Sequence, residues 1–271
     1  MPAVGTVAAV IVIVIVLFVA GVIPLSGGAV SRTPTYAAAQ GPANSAASGV
    51  RGGPWNELLA GGLALSAGMS VAVDELATAY ASLGCNVSYP AGSPASIYLP
   101  PTGANASAGA AAAWVFGYVN ATGLLAVAVL NGTATPLFEV YGGACSLVAL
   151  EPPLAHYGSL VDSSVAVNAA DAAGGAQFLE NHSGAQRIWY LSGDPLTGQA
   201  TWAVTYSTCT VASTGSTTGL FYNATVDAST GNVISHSSAS GSCTLPVVVP
   251  ASASPSASMA AGGREPAARG P

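Results

Sequence analysis

Residues 113–141 read AWVFGYV, NATG, LLAVAVL, NGTAT and PLFEVY, three apolar runs separated by two turns. In the first run Trp114, Phe116 and Tyr118 alternate with other residues, so their side chains share one face of a strand. Asn and Gly between such runs are typical of hairpin connections. The stretch therefore predicts an antiparallel meander with strands at 113–119, 124–130 and 136–141.

A helix is expected before this meander, because apolar residues there recur at spacings of four and three. They are Leu65, Met69, Val73, Leu76, Tyr80 and Leu83. Glycines at 61, 62 and 68 weaken the early turns, so the helix is predicted to begin near Leu63 and to end at Gly84. Residues 55–150 would then form one small module in which a helix packs on an antiparallel sheet.

A second module of the same kind is predicted for residues 161–245. Glu151, Pro152 and Pro153 break the pattern, which makes 151–160 a linker. Asp162 or Ser163 can cap a helix after it, and Gly174 with Gly175 would interrupt that helix. Its predicted apolar stripe is Val165, Ala169, Ala172, Ala176 and Leu179.

Four strands should follow this helix, at 187–191, 201–206, 220–227 and 232–236. In the third of them, Tyr222, Ala224 and Val226 are expected to face inward, which leaves Asn223 and Thr225 toward solvent. The turn at 227–231, DASTG, joins the last two strands. The predicted fold class is therefore α+β, with two small helix-plus-antiparallel-sheet modules.

The two ends of the chain differ in composition from these modules. Residues 4–25 carry no charge and are dense in Val and Ile, enough to span a bilayer as a helix. The alternatives are a signal peptide cleaved within the Ala-rich stretch 36–40 and a buried core helix. Residues 26–54 are predicted to be a flexible linker, and residues 246–271 a disordered Pro/Ala/Ser tail.

Cysteine spacing favours disulfides over metal ligation, because none of the four residues belongs to a CxxC pair. Of the three possible connectivities, Cys85 with Cys145 and Cys209 with Cys243 is the favoured one. Four buried free thiols are the alternative. Disulfides predict an oxidising compartment outside the cytosol.

Asparagine usage points to the same compartment. Six of the ten asparagines begin an Asn-x-Ser/Thr triplet without proline, which predicts N-glycosylation and translocation of everything after residue 30. Accidental triplets in a Ser/Thr-rich chain are the alternative. The six are Asn86, Asn105, Asn120, Asn131, Asn181 and Asn223.

Charge and motifs exclude several classes of function. The chain has a net charge of −6, 6% charged residues and five arginines without a lysine, so no basic stripe can neutralise nucleic-acid phosphates. A chain without lysine has no Walker A motif or Schiff base. His156, His182 and His236 are far apart, and there is no G-x-S-x-G elbow. No catalytic residue, metal or cofactor is predicted.

The second half, about residues 160–237, resembles the PepSY family. The resemblance rests on WAVTY at 202–206 and TVDASTGNVI at 225–234. The sequence departs from the family pattern by a Ser/Thr/Gly-rich insertion at 210–219. The resemblance implies a non-catalytic extracytoplasmic module that associates with peptidases, with no catalytic residue to carry over.

These inferences combine into a membrane-anchored, extracytoplasmic binding or regulatory protein. Its expected partners are the lipid bilayer, through residues 4–25, and an extended peptide or secreted peptidase. Trp202, Tyr206 and Tyr222 are the predicted binding residues, at an exposed sheet edge. A structural cell-envelope glycoprotein and an unrecognised hydrolase are the alternatives.

Overall fold

The computed structural model describes residues 34–65, 68–102, 108–143, 145–148, 151–209 and 218–243. Strands account for 43% of the structure and helices for 25%. The helices are α1 (Tyr36–Ser48), α2 (Val73–Ser82), α3 (Cys145–Val148), α4 (Ser163–Ala170) and α5 (Ala176–Asn181), with a 3₁₀ turn at Leu154–Tyr157 and a π turn at Asp171–Gly175. The strands are β1 (Asn56–Ala64), β2 (Met69–Ala72), β3 (Asn86–Ser88), β4 (Ser96–Leu99), β5 (Ala113–Val119), β6 (Gly123–Leu130), β7 (Thr133–Tyr141), β8 (Gln186–Asp194), β9 (Gln199–Ser207), β10 (Thr218–Asp227) and β11 (Val233–Ser242).

One antiparallel sheet runs through both halves of the chain. Its nine strands lie in the order β11-β10-β9-β8-β1-β5-β6-β7-β3, while β2 and β4 pair separately. The predicted fold class, α+β with two small helix-plus-antiparallel-sheet modules, is therefore wrong, because the structure is mostly sheet and is built on one large antiparallel sheet. The predicted boundary at 151–160 is crossed by hydrogen bonds, because β1 pairs with β5 on one side and with β8 on the other.

The predicted helix from Leu63 to Gly84 is also wrong in its first half. Residues before Val73 form β1 and β2, and only Val73–Ser82 is helical. The apolar spacing fits a helix, but β1 is buried by neighbours on both sides and both faces. A central strand of this kind has a continuous run of apolar residues. The periodicity of such a run cannot distinguish a buried strand from a buried helix.

Most of the buried aromatic residues gather on one face of the sheet, while Tyr80 and Phe138 pack together on the other. On the first face Trp114, Phe116, Trp189 and Trp202 are fully buried, with α1, the 3₁₀ turn and α4 above them. The opposite face buries aliphatic side chains of β1 and β5–β7 under α2, α3 and the β2–β4 pair. The architecture is thus a long sheet covered by helices on both sides.

Helix α1 lies inside the stretch 26–54 that was predicted to be a flexible linker. Tyr36, Ala39, Ala43 and Ala47 recur along one side and are buried against the sheet. Its first two amides are capped by residues more than 120 positions away. Tyr36 N donates to Ser163 Oγ (2.9 Å), and Ala37 N donates to Asp162 Oδ1 (2.8 Å). These bonds hold the start of α1 to the start of α4.

The helix of the second half has the predicted break but a different buried face. Gly174 has a φ of 136° between α4 and α5, as expected for an interruption there. The buried residues of α4 include Ala166, Val167 and Ala170, whereas Val165 is 45% exposed. The predicted stripe is therefore displaced by about one position.

The structure has a strand at each of the seven predicted positions, whereas β1 to β4 were not predicted as strands. β5, β6 and β7 cover 113–119, 124–130 and 136–141, and β8, β9 and β10 contain the predicted strands at 187–191, 201–206 and 220–227. β11 begins one residue after the predicted start at 232 and continues past 236 to Ser242. Tyr222, Ala224 and Val226 are buried, and Asn223 and Thr225 are less so.

No helix among the described residues is long and apolar enough to cross a membrane. The predicted transmembrane helix at 4–25 and the predicted tail at 246–271 both lie outside the described residues.

Candidate functional site

A cleft of about 790 Å³ opens between α1, the start of β1 and the 3₁₀ turn. One wall is a polar stripe on α1, since Tyr36, Gln40, Asn44 and Ser48 follow one another at intervals of four residues. The adjacent stripe of alanines packs on the sheet, so the same helix turns an apolar side inward and a polar side to the cleft.

The other walls come from two segments far apart in the chain. Residues 53–57 bring Trp55, Asn56 and Glu57, and the segment around the 3₁₀ turn supplies Leu154 and Leu160. Trp55 is half-buried, and its indole Nε1 donates to Val50 O at 3.3 Å. This bond ties the ring to the loop that leads into β1.

Glu57 is the carboxylate of the cleft, and both of its oxygens accept hydrogen bonds from α1. Tyr36 Oη donates to Oε1 at 2.9 Å, and Gln40 Nε2 donates to Oε2 at 2.8 Å. Gln40 Nε2 also donates to Tyr36 Oη at 2.8 Å. Burial raises the pKa of Glu57, and the hydrogen bonds from Gln40 and Tyr36 oppose that shift.

Two tyrosines extend this network and stay protonated. Burial raises the pKa of Tyr36, and the neighbouring Glu57 carboxylate raises it further. Burial and Glu57 raise the pKa of Tyr118 in the same way, and its hydroxyl donates to Asn44 Oδ1 at 2.8 Å. Both phenols are therefore hydrogen-bond donors at neutral pH.

Several polar atoms of the cleft remain available to a ligand. No described residue accepts from Asn44 Nδ2 or donates to Gln40 Oε1. Asn44, Ser48 and Asn56 are exposed on the walls. The lining residues include no Arg, Lys or His. The cleft can therefore exchange hydrogen bonds with a polar group and stack against Trp55, but it lacks a cation for an anionic group.

A smaller cleft of about 200 Å³ lies on the other side of Trp55. Arg51, Asn120 and Glu139 are among its lining residues. Burial raises the pKa of Glu139, which is the same direction as for Glu57. Trp55 therefore stands between two polar depressions.

The three predicted binding residues do not form a surface. Trp202 and Tyr206 are fully buried, and Tyr222 is 5% exposed, so all three belong to the aromatic core. Tyr206 Oη donates to Asp171 Oδ1 at 2.6 Å, and Asp171 also pairs with Arg187 at 3.6 Å. Their strand alternation was predicted correctly, but it places them under α4 and α5 instead of at the sheet edge.

The predicted disulfides are confirmed. Cys85 pairs with Cys145 and Cys209 with Cys243, with Cα atoms 5.7 Å and 5.3 Å apart. The first joins the start of β3 to α3. The second links the chain after β9 to the chain after β11, over Gly219 of β10.

The sequon asparagines fall in different environments. Asn86, Asn131 and Asn181 are exposed, while Asn223 is half-buried and accepts a hydrogen bond from Thr205. Asn120, which follows β5, is 8% exposed, so this predicted glycosylation site is buried. Its Oδ1 accepts bonds from residues 122 and 123, and its Nδ2 donates to Gly52 O. Asn105 lies outside the described residues.

Sequence reasoning missed Gln40, Asn44 and Glu57. The signal was present in YAAAQGPANSAAS at 36–48, where polar and alanine stripes both recur every four residues. Gly41 and Pro42 within it, and the linker-like composition around it, outweighed that signal. Among the described residues, no three His, Cys, Asp or Glu side chains are placed to hold a metal ion.

Comparisons with family models, curated proteins and solved structures find no match to this chain.

Proposed function

We propose that this chain is an extracytoplasmic, non-catalytic binding protein whose cleft beside α1 holds an uncharged, hydroxyl-rich ligand of the saccharide class. One observation carries the proposal. The polar stripe of α1 faces Trp55 and Glu57 across a 790 Å³ cleft whose lining has no basic side chain.

The chemistry of the lining suits a sugar better than an anion. A sugar offers hydroxyl groups at its edge and C–H groups on its faces, which match amide or carboxylate partners and an indole ring. A carboxylate or phosphate ligand would meet Glu57, whose ionisation is already disfavoured by burial, and no compensating cation.

Binding without turnover is supported by how the titratable groups are engaged. Glu57 and Tyr36 are the ionisable residues of the lining, and they are hydrogen-bonded to each other and to Gln40. A glycosidase needs a pair of carboxyl groups flanking the scissile bond, and this lining supplies one.

An extracytoplasmic location is supported by the two disulfides and by the exposed sequons at Asn86, Asn131 and Asn181. Glycosylation of these residues and membrane anchoring through residues 4–25 are parts of the proposal. The PepSY-like role toward a peptidase stays a prediction. Because Trp202 and Tyr206 are buried, such a partner would have to approach through β11.

Binding can be tested by screening the protein on a glycan array and measuring the hits by titration calorimetry. We expect affinities in the range of about 1 μM to 1 mM, as is usual for small polar ligands with few anchoring atoms. Trp55→Ala should weaken binding about tenfold or more, because it removes the stacking surface. Gln40→Ala should also weaken it by loosening the Glu57 network.

The matched control is Tyr89→Ala, which removes another exposed ring, 52% accessible and outside the cleft lining. It should leave affinity unchanged. Equal binding by Trp55→Ala and Tyr89→Ala would refute the assignment of the cleft. Hydrolysis of a bound glycan that is lost in Glu57→Gln would replace the binding proposal with an enzymatic one.

A further inference from the structure

Strand β11 forms one end of the nine-stranded sheet. Among the described residues it pairs with β10 alone, over Thr218 to Val226 opposite Ser242 to Val233. An antiparallel edge of ten residues leaves about five with N–H and C=O groups directed away from the sheet. Those groups form a template for another strand.

Apart from one register irregularity near its start, this edge lacks the features that usually protect one. Natural edge strands carry charged side chains, prolines or bulges that discourage pairing. The sequence VISHSSASGS at 233–242 has no Asp, Glu, Lys, Arg or Pro. Its only register irregularity lies near the beginning, opposite Thr225 and Val226.

The side chains of β11 also leave room for a neighbour. Residues 234–240 are exposed on both faces of the sheet, and four of these seven are serine. Small, uncharged side chains let a second sheet edge approach without a clash or charge repulsion, although the whole chain has a net charge of −6.

The opposite edge of the sheet is different. β3 is three residues long, and the Cys85–Cys145 disulfide fixes the chain directly before it. Pairing of β11 with β3 of another molecule would build an open fibre, and three residues offer too short a partner. Pairing of β11 with another β11 closes on itself by two-fold symmetry.

We propose that β11 pairs antiparallel with β11 of a second copy of this chain, which joins two nine-stranded sheets into one. A specific extended peptide is the less suitable partner, because strand addition gains its specificity from pockets beside the edge. Along residues 234–240 both faces are open, and neither cleft described above borders them. The inference does not depend on the ligand of the cleft.

Cysteine cross-linking of the full chain in a non-ionic detergent tests this pairing. Since the four native cysteines are in disulfides, one added cysteine provides a single free thiol. Ser235→Cys, Ser237→Cys, Ser238→Cys and Ser240→Cys are oxidised at about 50 μM, a concentration suited to a small interface. Two-fold pairing places one position opposite itself, so disulfide-linked dimer should be highest at the tested residue or residues nearest the two-fold axis and should fall with distance from it.

Thr197→Cys, in the exposed turn between β8 and β9, is the control and should yield at least tenfold less dimer than the peak.

In a second measurement, Ser238→Lys should abolish the concentration-dependent dimer in sedimentation, whereas Thr197→Lys should not. A monomer at all concentrations, or cross-linking as low at every β11 position as at residue 197, would overturn the proposal. A monomer that binds an extended peptide at β11 would overturn it in favour of strand addition.

Discussion

Gly62 lets two tryptophans meet at the seam between the halves of the sheet. It lies opposite Trp114 of β5 on one side and opposite Trp189 of β8 on the other. The two indoles pack edge to face with centroids 6.2 Å apart. A Cβ on Gly62 would lie 2.5 Å from Trp189 Nε1 and 3.1 Å from Trp114 Cη2. The residue is therefore needed for close packing, since its φ is not in the left-handed region.

Gly62→Ala should consequently lower the free energy of unfolding by about 1 to 3 kcal/mol, the usual cost of overpacking a tight core. Urea titration followed by tryptophan fluorescence measures it. Gly41→Ala in α1 is the control, because no atom beyond its two chain neighbours and its own helix backbone lies within 4 Å of the added methyl group. That change should alter the free energy of unfolding by less than about 1 kcal/mol, because the gain in helix propensity over glycine is offset by contact of the new Cβ with the following Pro42. A neutral Gly62→Ala would contradict the tight contact.

Glu57 makes the stability depend on pH in a definite direction. Burial raises its pKa above the ordinary value of 4.5, so the folded state binds a proton more readily than the unfolded chain. Between those two pKa values, stability falls as pH rises, because ionisation is easier after unfolding. Below pH 4.5 the carboxyl is protonated in both states and this loss is absent.

Glu57→Gln removes that ionisation. The melting temperature of the wild type minus that of Glu57→Gln should therefore decrease as pH rises from 4 to 8. Thermal denaturation at five pH values in constant ionic strength measures it. Asp74→Asn, on the exposed side of α2, controls for a general loss of charge. A difference that grows in favour of the wild type would mean that the hydrogen bonds from Tyr36 and Gln40 outweigh burial.

Each disulfide anchors the chain beside one of the two strands at the ends of the sheet, β3 and β11. Cys85–Cys145 closes a loop with a sequence separation of 60, and Cys209–Cys243 one of 34. In the chain-entropy model each removes about 4 kcal/mol of unfolded-state freedom, because the dependence on loop length is logarithmic. The two bridges should thus contribute almost equally.

Replacing both cysteines of either pair by alanine should lower the free energy of unfolding by about 4 kcal/mol. Double variants are used so that no partner thiol is left to mispair. Guanidinium titration of each double variant against the oxidised parent measures the loss. A loss below about 1 kcal/mol for either pair would show that its loop is already ordered in the unfolded chain.

Local sequence predicted those elements whose partners follow them directly. β5, β6 and β7 are adjacent in the chain and joined by Asn/Gly turns, so their pairing is encoded within 29 residues. β1 pairs with β5 and with β8, and β8 lies more than 120 residues later in the chain. The apolar spacing of β1 alone is also consistent with a helix, because these distant partners leave no local signal in the sequence. The start of α1 likewise depends on Asp162 and Ser163.

The same distinction applies to the cleft. Trp55 is the first residue of the predicted module at 55–150, but its place in the cleft depends on α1, which lies in a stretch of linker-like composition. The favoured cysteine pairing, in which neighbours along the chain pair with each other, was correct, although four cysteines allow three connectivities. The burial of Trp202 and Tyr206 could not be predicted. Strand alternation shows that two residues share a face, but it does not show which helices cover that face.

The whole molecule is organised around the β1–β8 seam. Tyr36 reinforces it, since its ring packs on Phe116 of the first half and Trp202 of the second, with centroids 6.0 Å and 5.4 Å away. Both halves also share one aromatic core. A continuous sheet with a shared core should unfold in a single cooperative step, whereas two independent modules would each respond to their own mutations.

Val204→Ala in β9 and Val127→Ala in β6 test this with matched substitutions, because both valines are fully buried on the aromatic face. Each should lower the free energy of unfolding by about 1 to 3 kcal/mol through a lost transfer term and a small cavity. Under mildly denaturing conditions, where amide exchange proceeds by global unfolding, Val204→Ala should speed exchange equally in β5–β7 and in β8–β10. Val127→Ala should do the same, with peptide-resolved mass spectrometry as the readout. Loss of protection confined to the half that carries the mutation would mean that the seam does not couple the two halves, even though β1 and β8 are hydrogen-bonded across it.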